Sequence, residues 1–131
     1  MTVCTDRRRS VLAKITDGGS VSLTGAGETV KAEIERIDEI ENVKLEAYVI
    51  MPNHVHLLVC IYERTGGHGG PPLQQIVSAF KSYTTHVYGK KLWQRSFYDH
   101  VIRNADDMLA HLEYIKNNPL KWADDKYYTN V

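Results

Sequence analysis

The chain has 131 residues and a mass of 14.9 kDa, room for one domain built on one core. With 43% hydrophobic and 24% charged residues it has the balance of a globular protein, and no apolar run reaches the roughly 18 residues of a membrane span. Sixteen basic and sixteen acidic groups cancel, which removes whole-molecule attraction as an argument for a polyanionic partner, although residues 67–105 set five cations against Asp99 alone.

Residues 2–5 read as the end of a strand, followed by the cationic turn Asp6-Arg7-Arg8-Arg9. Val11–Thr16 and Ser20–Leu23 flank Asp17-Gly18-Gly19, a hairpin signal. Thr24 is placed to cap a helix in which Val30, Ile34, Ile37 and Ile40 recur at helical spacing until Asn42 closes it. Residues 43–51 and 54–62 predict two strands joined at Pro52-Asn53. Gly66 to Pro72, with four glycines in seven residues, predicts a loop among the most mobile parts of the chain and a candidate hinge. Pro72 opens a helix with the stripe Leu73, Ile76, Val77, Phe80, Thr84 and Val87, ending near Gly89. A further strand is predicted over Phe97–Ile102. Asn104 then caps a helix to about Asn118 with Met108, Leu109, Leu112 and Ile115 as its stripe, and Pro119 stops it. This order predicts an α+β fold, helices packed on an antiparallel sheet, as one domain over residues 1–131. Cys4 and Cys60 are too few for a disulfide framework and suit reduced thiols in a cytosolic protein, and the start MTVCTDRRRS carries no export signal.

The densest chemistry is His54-Val55-His56. On a strand, residues i and i+2 project from one face about 6–7 Å apart, close enough for two imidazoles to share a divalent ion. Val55, Leu57, Val59 and Ile61 form the apolar, core-seeking side, which predicts that the histidine side is partly open. Spacing alone leaves two readings, a shared ion or a pair of histidines at a strand end. Tyr83 flanks the apolar stripe of its helix beside His86 and Lys90, either as a packing residue with a wet hydroxyl or as a nucleophile.

The blocks EAYVIMPNHVHLLV, GGPPLQQIVSAFKSYTT, LWQRSFYDHVIRN and EYIKNNPLKW, in that order, resemble the REP-associated tyrosine transposases of the single-tyrosine HUH superfamily. The resemblance runs from about Lys44 to Tyr128, and MPNHVHLLV is its most specific part. It implies a ferredoxin-like or RRM-like antiparallel sheet packed with α-helices, the HUH endonuclease fold. It implies a transposase that cuts single-stranded DNA and transfers strands through a 5′-phosphotyrosine. His54 and His56 match the pair that holds Mg2+ or Mn2+, and Tyr83 matches a helix-borne nucleophile. Relatives complete the ion's shell with an amide or similar residue one turn after the nucleophile. Val87 stands there and cannot ligate, so His86 becomes the third candidate, beside a ligand from elsewhere or a weakened site. Arg7, Arg8, Lys81, Lys90, Lys91 and Arg95 are the candidate DNA contacts, with Trp93 and Tyr98 for stacking.

The expected partner is single-stranded DNA from hairpin-forming repeats, in the cytoplasm with the nucleoid and with no membrane. A homodimer, and a nucleophile acting in its own subunit or a partner's, both stay open. Relatives carry a further stretch before the first strand, which predicts a start truncated at the N-terminus. A catalytically inactive or domesticated hairpin DNA- or RNA-binding module is the alternative function, and a water-activating metallohydrolase is disfavoured by the lack of a nearby Asp or Glu.

Overall fold

The computed structural model describes residues 1–16, 18–61, 73–102 and 104–124. Strand β1 (Thr2–Cys4) leads into a tight turn over Asp6–Arg8, then the hairpin β2 (Ala13–Ile15) and β3 (Val21–Leu23). Helix α1 (Gly25–Ile37) starts where the Thr24 side chain accepts a hydrogen bond from the Gly27 amide, 3.1 Å away. Gly27 is required there, because a Cβ would overlap the Leu12 carbonyl oxygen. The helix ends at Ile37, short of Asn42, and Ile40 packs on a satellite core with Ile37, Val43 and Ile76. Asn42 takes a left-handed φ of 64° on entry to the next strand.

Strands β4 (Val43–Met51) and β5 (His54–Ile61) pair antiparallel, with Glu46 surplus between Leu45 and Ala47. The main sheet has the order β1-β5-β4, so β5 is central. Helix α2 (Leu73–Tyr88) and helix α3 (Ala105–Asn117) follow, then a 3-10 segment, Pro119–Asp124. Asn104 caps α3 by accepting from the Asp107 amide, 2.8 Å away. The predicted Gly66–Pro72 loop lies outside the described residues.

No regular strand forms over Phe97–Ile102, contrary to the sequence reading. Instead, residues 92–98 run along the free edge of β1 with two isolated bridges, Thr2 to Tyr98 and Thr5 to Trp93. Three steps along β1 thus face five along the other chain, leaving two surplus residues that break the ladder. The Lys81 ammonium sits over this bulge and donates to the carbonyls of Gln94, Arg95 and Ser96 at 2.8, 3.1 and 3.1 Å. Beside it the indole of Trp93 donates to the Thr84 hydroxyl, which donates in turn to the Phe80 carbonyl, both at 2.8 Å.

Alternation along β5 divides the molecule. Val55 and Leu57 join Val3, Val30, Ile34 and Phe80 in the core, so α1 and α2 cover that face of the sheet. His54 and His56 point to the opposite face, and α3 with the 3-10 segment covers it.

Candidate active site

The turn before β5 builds the histidine pair. The Asn53 side-chain amide donates to the Arg8 carbonyl at 3.3 Å, which turns its Oδ1 toward His54 Nδ1, 2.8 Å away. An oxygen acceptor there requires the proton on Nδ1, which makes Nε2 the acceptor nitrogen of the His54 ring. His56 Nδ1 shares a hydrogen bond of 2.8 Å with the Thr2 hydroxyl, which can donate or accept. The two Nε2 atoms converge to 3.0 Å, and the rings meet edge to face at 4.5 Å. A nitrogen pair that close spans one edge of an octahedron with bonds of about 2.1 Å. The pair therefore fits a shared divalent ion.

The prediction of an open histidine side needs correction. His54 is fully buried and His56 is 6% exposed. Trp122 stands 6.0 Å from the His54 ring, and Tyr114 meets the His56 ring edge to face at 4.9 Å. Of the pair, His56 lines a cleft of about 700 Å3 whose other walls include Arg8, Tyr98, His100, His111 and Tyr114, and His54 lies behind it.

Tyr83 is not brought to the pair. It lies 47% exposed on α2, whose buried face of Ile76, Val77, Phe80 and Thr84 packs on the other side of the sheet. His86 shares that side, lining a second cleft with Lys81, Lys91 and Arg95, and within this chain it cannot complete the shell of an ion at His54 and His56. The tyrosine that does meet the histidines is Tyr114, 43% exposed on α3. One turn further on, Asn118 is 3% exposed at the helix C-cap. Tyr114 and Asn118 thus set an amide four residues, about one helical turn, after a tyrosine. The block EYIKNNPLKW contained the signal, since Tyr114 and Asn118 alone in the chain set a tyrosine one turn before an asparagine inside a predicted helix.

The candidate DNA contacts are dispersed. Arg8 lines the main cleft, and Arg7 and Arg8 both hold left-handed φ angles of 55° and 53° in the turn after β1. Lys81 is engaged by the bulge carbonyls, and desolvation pulls its ammonium below the usual lysine value. Lys90 lies over the Tyr88 ring at 5.5 Å, and Lys91 pairs with Asp6 at 3.6 Å. Arg95 is exposed in the second cleft. Trp93, expected to stack on bases, is buried in the core at 4% exposure, whereas Tyr98 is 55% exposed beside the main cleft. Leu109, assigned to the apolar stripe of α3, faces out at 55% exposure.

A central β5 carrying paired imidazoles, with a helix-borne tyrosine over them, defines the class of single-tyrosine HUH proteins. The profile of the family described as transposase IS200 like matches residues 1–118, and the chain belongs to that family. It is 30% identical to an uncharacterised protein of Haemophilus influenzae over 99% of this chain and 84% of the relative. It is 31% identical to the REP-associated tyrosine transposase of Escherichia coli over 76% of this chain and 58% of the relative. Among solved structures it is similar to a REP-associated tyrosine transposase bound to a REP hairpin, with a TM-score of 0.68 and 26% identity over 92% of this chain and 64% of that one. The architecture is thus the α+β HUH fold, an antiparallel sheet with helices on both faces. Among the described residues no helix is long and apolar enough to cross a membrane.

Proposed function

We propose that this protein cleaves and rejoins single-stranded DNA with Tyr114 as nucleophile, His54, His56 and Asn118 as the ligands of Mg2+ or Mn2+, and Arg8 as a phosphate contact. The observation that carries the assignment is the 4.9 Å approach of the Tyr114 and His56 rings at the cleft, with Tyr83 across the sheet. Family membership supports transposase chemistry, and the likeness to a transposase bound to a REP hairpin supports a hairpin-forming substrate.

In the reaction the Tyr114 oxygen forms a bond to phosphorus as the bond to the 3′ oxygen breaks. The phenol loses a proton and the departing 3′ oxygen gains one, so the step balances and its reversal joins a second 3′ end. A divalent ion, when bound, polarises the phosphoryl oxygens and offsets their growing charge. The side chains of this chain do the rest. Asn53 and Thr2 fix the imidazoles, Tyr98 offers an exposed ring on which a base can stack, and half-exposed Tyr114 is open to substrate. Tyr114 lies against His56 of its own chain, which supports a site complete within one subunit. The proposed DNA substrate supports a location with the nucleoid in the cytoplasm.

The test is covalent capture of a labelled single-stranded hairpin with Mg2+ or Mn2+. The expected result is an SDS-resistant adduct in the wild type and in Tyr83→Phe, and none in Tyr114→Phe. An adduct that survives Tyr114→Phe overturns the assignment. A wild-type protein that binds the hairpin and forms no adduct with either ion establishes the binding module instead.

A further inference from the structure

Away from the His54–His56 pair, the structure gathers a second set of metal-ligating groups: His100 on the segment before α3, and Asp107 and His111 on the first turns of α3. Their ligand atoms all lie within 4.8 Å of one another. His100 Nε2 is 2.9 Å from Asp107 Oδ2, and His111 Nδ1 is 3.3 Å from Asp107 Oδ1, so the carboxylate presents one oxygen to each ring. The two imidazoles stack at 4.6 Å with 19° between their planes. The carboxylate and the two imidazole nitrogens thus converge closely enough for all three side chains to serve as donors around one centre. His111 Nδ1 also donates to the Asp107 backbone carbonyl at 2.9 Å, and moving its proton to Nε2 frees Nδ1 without any net loss of protons.

We propose that His100, Asp107 and His111 form a second site, independent of His54 and His56, for a first-row divalent transition ion of the zinc class. Two imidazoles and one carboxylate are a borderline nitrogen and oxygen donor set, which selects such ions over calcium or magnesium. His100 and His111 both line the main cleft, so coordination positions not filled by protein open toward it. The site ties the segment carrying His100 to α3 less than one turn before Tyr114, and so an ion there holds in place the helix that bears the tyrosine. The proposal goes beyond the nucleophile assignment and does not depend on it.

The test is titration of the chelator-stripped full-length protein with Co2+, followed by its visible d–d absorption and without DNA. The expected result is a stoichiometry lower by one ion in His100→Gln/His111→Gln than in the wild type, and likewise in Asp107→Asn, which keeps the side chain's shape. In a His54→Ala/His56→Ala protein shown by circular dichroism to be folded, one Co2+ is expected to remain bound. An isotherm unchanged by His100→Gln/His111→Gln overturns the proposal, as does loss of all binding in folded His54→Ala/His56→Ala. Neither readout involves Tyr114 or strand cleavage, so failure here and failure of the nuclease reading are separate results.

Discussion

At the residue scale, the direction of a single amide decides what the histidine pair can do. Asn53 is fully buried, and its amino group is committed to the Arg8 carbonyl, which leaves only its oxygen for His54. An oriented acceptor of this kind sets the tautomer of a ligand imidazole and typically contributes 10–100-fold to ion affinity. Asn53→Ala is therefore expected to weaken Mn2+ binding by about 10–100-fold, followed by the loss of free-Mn2+ signal in electron paramagnetic resonance. Affinity unchanged in a folded Asn53→Ala protein would show that the ring is oriented by something else. The strand position of this pair was readable because side chains on a strand alternate with period two. Its burial was not readable, because the cover comes from Tyr114 and Trp122, far along the chain, and no local pattern in β5 announces them.

At the scale of elements, the segment after α2 shows where local patterning stops. Phe97–Ile102 has strand-like composition, yet the partner edge is the three-residue β1, and the five-for-three mismatch leaves room for bridges only. The cost of the exposed carbonyls is offset by Lys81, which sequence alone offers as a DNA contact and the structure uses as a brace. Lys81→Met keeps the apolar stem and removes the donors. It is expected to lower stability by about 1–3 kcal/mol in urea unfolding while leaving the salt dependence of DNA binding unchanged. A fall in the salt slope with stability intact would return Lys81 to the DNA-contact set. The helices themselves were legible from their stripes and from the caps Thr24 and Asn104. Which face of the sheet each one covers was not. Tyr83 and Tyr114 both flank an apolar stripe on an amphipathic helix, and only the tertiary placement of α2 and α3 separates them.

At the scale of the whole molecule, one sheet keeps its two faces for different work: Val55 and Leu57 hold the core under α1 and α2, and His54 and His56 face the helix of the tyrosine. The two helix layers are not moored alike. Within its thirteen residues α1 buries Gly27, Val30, Ile34 and Ile37, whereas α3, of equal length, buries Ile115 alone. Apolar burial is the main term resisting local opening, so α3 is expected to open at a free energy below that of global unfolding. Amide protons of α3 are accordingly expected to exchange at least about tenfold faster than those of α1, as read by hydrogen–deuterium exchange with mass spectrometry. Equal protection of the two helices would mean that α3 comes loose only with the whole domain. For the tyrosine proposed to hold a severed strand until another end arrives, light mooring would amount to a swinging arm, letting the helix travel with its covalent cargo while the sheet stays folded.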